Sequence, residues 1–255
     1  MAKLNKWCDC TDKTVNGHLL RILEADSSRI NTGIAEVAKT VPSHYASNAL
    51  IAAVMKQLGK PKASAFIKNK LPKSKNIRSG DLGEILAASY VAEFTNFTTS
   101  INRLRWKDHR DMAMRGDDII AIQEDTSPEK IKFLKGEVKS SASLSTPTVE
   151  KARKALKKDR SRPSPHSLAF LADRLYEKGN IKLAMLIHKT LLHKGVKLSQ
   201  VTHLLFTFSG NDPTTILHND LISYTGSVDQ FAVGIHVTKH QSFIKAVYDK
   251  VSSGV

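Results

Sequence analysis

Two neighbouring stretches, residues 114–122 (MRGDDIIAI) and residues 133–141 (FLKGEVKSS), carry the strongest indication of the fold. Both are rich in the β-branched and apolar residues that favour strands, and the polar segment QEDTSPEK between them is predicted to be a turn. Side chains alternate along a strand, so Glu137 and Lys139 share one face while Val138 lies on the other. The sequence therefore predicts a strand pair that has one apolar face and one charged face.

Further strands and helices are predicted on both sides of this pair. A run at 100–106 (SINRLRW) has strand composition, so we predict three adjacent antiparallel strands. The remaining elements are, in chain order, a buried helix at 79–94 beginning at Ser79, a helix at 146–158 capped by Thr146, one long helix through 168–193, a strand at 201–208, a short helix at 216–221, a strand at 231–237 and a last helix at 242–251. This order is typical of a layered α/β domain.

The first third of the chain is predicted to be mainly helical. A basic polar stretch at 68–80 (KNKLPKSKNIRSG) suggests a boundary, which divides the chain into a helical N-terminal region, residues 1–75, and a domain at residues 76–255 with a helical insertion and a C-terminal extension. We interpret the apolar helix at 48–59 (NALIAAVMKQLG) as core-packed, with a partner interface as the alternative.

Composition narrows the classes of function. The 255 residues are 41% hydrophobic and 25% charged, which is typical of a soluble globular protein, and the net charge of +15 favours a polyanionic partner such as nucleic acid. No apolar run reaches the roughly 20 residues needed to span a membrane, and no secretory signal is visible, so we expect a cytoplasmic protein. Cys8 and Cys10 are interpreted as free thiols, with two zinc ligands assisted by His18 as the weaker alternative.

Acidic residues in strand and buried-helix contexts suggest a catalytic site. Glu84 is the only charged residue between Leu82 and Ala92 in an apolar helix, where a carboxylate is costly unless it is paired or bound to a metal. If the strands are neighbours, either Asp117 or Asp118 points toward Glu137, and we choose Asp118. The oxygen ligands suit Mg²⁺, with Mn²⁺ as a substitute, and Lys139 is placed to stabilise charge on a phosphate. The alternative is a cross-strand surface ion pair.

The helix at 146–158 has a strongly basic side. Its cationic residues are predicted to face away from an apolar stripe and to contact a DNA backbone, with a solvated helix face as the alternative: Lys151, Arg153, Lys154, Lys157 and Lys158.

The order of Glu84 in a helix, Asp118 at a strand start and then Glu137-Val138-Lys139 resembles the PD-(D/E)xK nuclease superfamily. The resemblance implies a restriction-endonuclease-like mixed sheet flanked by helices, with Asp118 and Glu137 as Mg²⁺ ligands, Lys139 assisting the water and Glu84 as an accessory ligand. The motif's proline is absent, since Gly116 and Asp117 precede Asp118, and this leaves the choice of aspartate open.

A more specific resemblance is to the HamA family of the Hachiman anti-phage defence system. It rests on the stretches SGDLGEILAASYVAEF, RWKDHRDMAMRGDDIIAI and LKGEVKSSASLSTPTVEKARKAL. The resemblance implies an intracellular DNase held by a helicase subunit, HamB. We therefore predict a Mg²⁺-dependent DNA nuclease of anti-phage defence. A restriction or repair-type nuclease and a non-catalytic nucleic-acid-binding subunit are the alternatives.

Overall fold

A computed structural model describes residues 1–124 and 131–254 of the chain. The predicted turn QEDTSPEK occupies residues 123–130: Gln123 and Glu124 belong to a strand, and residues 125–130 lie outside the described part of the chain. The rest forms a mixed α/β structure in which helices flank both faces of a six-stranded sheet. The predicted α/β class with a mixed sheet is confirmed.

The sheet combines a parallel centre with antiparallel edges. Its strands are β1 Cys8–Val15, β2 His18–Ala25, β3 Ile119–Glu124, β4 Ile131–Ser141, β5 Val201–Ser209 and β6 Asp229–His236. They lie in the order β1-β2-β6-β5-β4-β3. Neighbours from β2 to β4 run parallel, whereas β1 is antiparallel to β2 and β3 is antiparallel to β4. β3 is therefore an edge strand, and Thr98 bridges its outer side at Ile122.

The α-helices of the described residues are α1 Ile30–Tyr45, α2 Asn48–Leu58, α3 Lys60–Lys70, α4 Lys75–Phe94, α5 Thr146–Ser161, α6 Pro165–Glu177, α7 Ile181–Lys189, α8 Thr214–Ile222 and α9 His240–Ser252. Short helical turns lie at Leu4–Lys6, Ser27–Arg29, Arg103–Trp106, Thr190–Lys194 and Leu198–Gln200. On one face of the sheet, α1, α4 and α9 enclose the largest apolar core. On the other face α5 and α8 cover a second core, and α6 and α7 close a third against β3 and β4.

Two strands in the N-terminal region were missed. The sequence predicted mainly helix there, but β1 and β2 form a hairpin that joins the main sheet through β6. Most of β1 is exposed, so the strand has no buried stripe for pattern reading to find. The signal that was present is Asn16-Gly17, whose positive φ angles of 50° and 79° form a two-residue turn favoured in hairpins.

The predicted strand at 100–106 is wrong. Residues Arg103–Trp106 form a short 3₁₀ helix instead, preceded by an isolated bridge between Thr98 and Ile122. The arginines in this run take polar partners inside the fold, because the Arg105 guanidinium donates to the carbonyl of Ser43 at 2.6 and 2.9 Å. Such inward-facing cations are incompatible with the apolar face that the strand interpretation required.

Several helix boundaries also differ from the prediction. α4 begins at Lys75, one turn before Ser79, and the residue capping α5 is Ser145 rather than Thr146. The predicted long helix is divided into α6 and α7 because Gly179 adopts a φ of +80°, which is outside the helical region. These differences move the ends of the elements and leave their order unchanged.

The apolar helix α2 lies at the margin of the core, which its partly buried Ile51 contacts. None of its residues is fully buried, and Leu58 remains 63% exposed. The preferred core-packing interpretation of this helix is therefore wrong. Within the described residues, none of the helices combines the length and the apolar character that a membrane crossing requires.

Candidate active site

The β3–β4 pair brings two of the predicted acidic residues together. Ile119 pairs with Gly136, so the antiparallel register places Asp118 beside Glu137. A side chain at position 136 would be crowded, because a Cβ there would lie 2.8 Å from the Cβ of Ile119. The backbone N–H of Val138 donates to Oδ2 of Asp118 at 2.9 Å, which holds this carboxylate at the start of β3.

Glu137 and Lys139 share one face of β4, as the alternation predicted. Nζ of Lys139 lies 2.6 Å from Oε1 of Glu137, and both side chains are partly accessible to solvent. Val138 lies on the opposite face in the core beneath α4. The strand thus anchors itself through its apolar row and presents an ion pair on the other side.

Helix α4 supplies the third carboxylate. A Cβ at Gly83 would meet Cγ1 of Val138 at 3.0 Å, so the glycine allows α4 to pack closely on β4. The next residue, Glu84, is directed toward Arg103, whose Nε lies 3.0 Å from its Oε2. Nη2 of the same guanidinium lies 3.8 Å from Oδ1 of Asp118. One arginine therefore bridges two of the predicted metal ligands.

Burial and mutual repulsion perturb all three carboxyl groups. Burial raises the pKa of Glu84 to about 8, with Asp118 adding repulsion and Arg103 opposing both effects. Burial also raises the pKa of Asp118, although Arg103 and the Val138 N–H lower it in part. The pKa of Glu137 is raised by burial and by Asp118, against the effect of Lys139. The cluster thus carries more negative charge than its surroundings favour, a condition typical of functional sites.

Asp117 has different partners from Asp118. Its carboxylate accepts from the Ser164 N–H at 2.8 Å and lies 3.4 Å from Nζ of Lys135, which is only 2% exposed. Lys135 also donates to the carbonyls of Lys158 and Arg162 at 3.0 and 2.9 Å. These contacts connect the start of β3 to the end of α5. Asp117 is thus held within a structural network, and Asp118 is the aspartate that lies beside Glu137.

The donor chemistry of the cluster fits a hard divalent cation. Across residues 1–124 and 131–254, no group of three or more His, Cys, Asp or Glu side chains is arranged as a ready-made metal cage. Asp118 and Glu84 are instead paired with Arg103, and Glu137 is paired with Lys139. Carboxylate oxygens are the ligands that Mg²⁺ prefers, and their unfavourable accumulation of charge would be relieved by a cation.

One member of the predicted DNA-binding row is inaccessible. The residues Lys151, Lys154, Lys157 and Lys158 are exposed on α5, but Arg153 is only 8% exposed. Its guanidinium is paired with Asp220, donates to Gln230 and lies 4.9 Å from the centre of the Tyr224 ring. The expectation that Arg153 faces away from the protein is wrong, because Arg153 pairs with Asp220 on α8, whose side chain is only 10% exposed.

Replacing Arg153 by methionine should lower the free energy of unfolding by about 3 kcal/mol or more, because Asp220 would remain buried and uncompensated. Lys154→Met on the exposed side of the same helix is the matched control and should change stability by less than about 0.5 kcal/mol. Urea unfolding followed by circular dichroism measures both variants. Equal stability of the two would show that the buried pair contributes little.

Two cations that contact the acidic residues were not predicted from the sequence. Arg103 pairs with Glu84 and Asp118, and Lys135 pairs with Asp117. Both cations lie in runs that were interpreted as strands, residues 100–106 (SINRLRW) and residues 133–141 (FLKGEVKSS). The available signal was a basic residue between apolar neighbours, such as Lys135 after Phe133 and Leu134, which requires an acidic partner when it is buried. The partner itself could not be identified, since Glu84 precedes Arg103 by 19 positions in the numbering.

Comparison with known proteins gives one family and one curated relative. The HamA family model matches residues 2–251. The relative is the Hachiman protein HamA of Bacillus cereus, which is 26% identical over 240 residues. The aligned region covers 92% of this chain and 85% of the relative.

Proposed function

Because this chain belongs to the HamA family, we propose that it is the nuclease effector of a Hachiman anti-phage defence system, a Mg²⁺-dependent deoxyribonuclease acting in the cytoplasm. The observation that carries the nuclease assignment is the convergence of Asp118, Glu137 and Lys139 at the end of the β3–β4 pair, with Glu84 of α4 beside them. The net charge of +15 supports a polyanionic substrate.

Each residue of the cluster has a distinct proposed role. Asp118 and Glu137 would hold Mg²⁺, with Glu84 as an accessory ligand once Arg103 releases it. The bound ion would supply Lewis-acid polarisation of the phosphodiester and an acidified water. Lys139, which lies 2.6 Å from Glu137, would orient the attacking water and stabilise the negative charge that develops on the phosphate oxygens.

The Val138 N–H and Gly136 fix the positions of the Asp118 carboxylate and of β3 relative to β4. The N–H bond at 2.9 Å fixes the Asp118 carboxylate before a ligand arrives, and the absence of a side chain at Gly136 allows β3 to approach β4 at that point. Prior ordering of the acidic residues reduces the entropy that must be lost when substrate binds. These features would position the reacting groups without touching the DNA.

A plasmid-degradation assay tests the proposed activity. The purified chain is incubated with supercoiled DNA in Mg²⁺ or in EDTA, and the nicked, linear and fragmented products are followed on gels. Degradation in Mg²⁺ that stops in EDTA is the expected result. Equal degradation in both conditions would exclude a required metal.

We also propose that a helicase subunit of the same defence system restrains the nuclease, since an unrestrained DNase is toxic to its own cell. Adding that subunit should suppress plasmid degradation until a DNA signal is supplied. If the chain degrades no DNA either alone or with the helicase, the nuclease assignment fails. If the rate is the same with and without the helicase, only the restraint fails.

A further inference from the structure

An open basic cleft lies beside the acidic cluster. It has a volume of about 370 Å³ and lies between the end of α3 and residues 104–110. Four cationic side chains line it, Lys70, Arg105, Lys107 and Arg110, together with the carboxylate of Asp108. None of these residues was singled out as a DNA contact by the sequence motifs, which drew attention to α5 instead.

The cleft carries a surplus of one positive charge, because its four cations face three carboxylates: Asp81, Asp108 and Asp111. Lys107 is neutralised by Asp81 at 2.8 Å, and Arg110 lies 3.6 Å from Asp111. Within the described residues, however, Arg105 donates to the Ser43 carbonyl and has no carboxylate partner.

Lys70 likewise has no carboxylate partner in the described part of the chain. Its Nζ lies 5.5 Å from the centre of the Phe66 ring. Burial lowers the pKa of Arg105, because a partly buried cation lacks a compensating charge there. A polyanion placed in the cleft would supply the missing negative charge.

The cleft is connected to the acidic cluster through one short segment. Leu104 lines both the cleft and a smaller cavity that contains Glu84 and Asp118. The flanking cations pair with α4 at positions three residues apart, Lys107 with Asp81 and Arg103 with Glu84. Residues three apart lie on the same side of a helix. A strand lying in the cleft would therefore continue toward the carboxylates.

We propose that this cleft binds the phosphodiester backbone of the DNA strand that leads to the acidic cluster, which deepens the proposed function and rests on it. Lys70, Arg105 and Arg110 supply charge and guanidinium donors to phosphate oxygens. Contacts of this kind position the duplex and read no bases, so the cleft confers affinity without sequence preference.

Charge-removing substitutions at Lys70 and Arg110 test the cleft. The double variant Lys70→Gln/Arg110→Gln is made in a Glu137→Gln background and kept in EDTA, so that binding is measured without cleavage. Fluorescence anisotropy with a short labelled duplex is recorded over a range of salt concentrations. The matched control is Lys60→Gln/Lys62→Gln, which removes two exposed lysines at the other end of the same helix. These lie about 12 Å or more from Lys70 along the axis.

The cleft variant should bind about 10-fold or more weakly, and the slope of log affinity against log salt should become shallower by about two. The control pair should stay within about two-fold of the parent. Equal losses of DNA affinity in the two double variants would overturn the proposed DNA-binding role of the cleft and show that the charge acts at a distance.

Circular dichroism establishes that both pairs are folded. A second measurement, of DNA cleavage, uses Lys70→Gln/Arg110→Gln with Glu137 intact. Cleavage in Mg²⁺ should then recover at saturating DNA, because the substitution affects binding alone. If the parental chain cleaves DNA and the cleft variant binds DNA as tightly as the parent, the proposed DNA-binding role of the cleft is wrong and the nuclease assignment stands. A parental chain that neither binds nor cuts DNA, alone or with the helicase subunit, would overturn both.

Discussion

Glu137→Gln should reduce the rate of DNA cleavage by about a thousand-fold or more, because it removes a charged metal ligand from the centre of the acidic cluster. The substitution keeps the shape of the side chain. It also removes a negative charge that burial and the repulsion of Asp118 disfavour, the two causes that raise the pKa of Glu137 in the parent. We therefore expect the thermal midpoint to stay the same or to rise while activity is lost. That combination distinguishes a catalytic role from a structural one.

Lys139→Met should produce a similar loss through a different step. The methionine keeps the unbranched chain and removes the ammonium group that pairs with Glu137 at 2.6 Å. Charge on the transition-state phosphate would then lack this stabilisation, which costs about a hundred-fold or more. Binding of DNA and Mn²⁺ should persist.

Single-turnover cleavage of a labelled duplex measures both variants, with Glu150→Gln on the exposed side of α5 as the control. Parental rates in either variant would show that the assigned site is wrong. A loss in the Glu150 control as well would point to a general effect of surface charge.

Arg103→Met should change metal affinity and stability in opposite directions. The guanidinium lies 3.0 Å from Glu84 and 3.8 Å from Asp118, so it compensates the carboxylates that we propose as metal ligands. Without it, the metal-free chain would retain buried, unpaired acidic groups and lose about 3 kcal/mol of unfolding free energy. Mn²⁺ should bind about 10-fold more tightly, because a competing positive charge has been removed.

Isothermal titration calorimetry with Mn²⁺ and urea unfolding measure the two effects separately from activity. Arg103→Lys is the control, since it preserves the charge and loses the forked geometry that reaches both carboxylates. Its metal affinity should remain closer to that of the parent. If Arg103→Met binds Mn²⁺ more weakly, the guanidinium arranges the ligands and does not compete with the cation.

The β3–β4 pair was accessible from sequence because its evidence is local. Alternation places Val138 opposite Glu137 and Lys139, and this pattern survives folding since it follows from strand geometry alone. The apolar α4, the later strands β5 and β6 and the last helix were found for the same reason. The hairpin of β1 and β2 was missed because an exposed edge strand has no periodic apolar face, even though Asn16-Gly17 marks its turn.

The environment of the acidic residues required the folded chain. Periodicity identified Glu84 as an isolated charge in an apolar helix, but its pairing with Arg103 depends on where a distant 3₁₀ turn packs. The same applies to Asp117 and Asp118, which are adjacent in sequence. Lys135 and Ser164 engage Asp117, whereas Asp118 lies beside Glu137.

Residue types and face alternation are properties of short segments, and they were sufficient to predict the fold class and the shared face of Glu137 and Lys139 on β4. The polyanionic partner inferred from the charge balance stays a prediction. Charge compensation depends on contacts between segments far apart in the chain. Tertiary packing therefore buries Arg153 against Asp220, away from the exposed lysines of α5. It also places Lys70 and Arg110 in one cleft beside Leu104. For Arg153, burial makes this placement costly to reverse, because an ionised group removed from water must keep the partner that the fold provides.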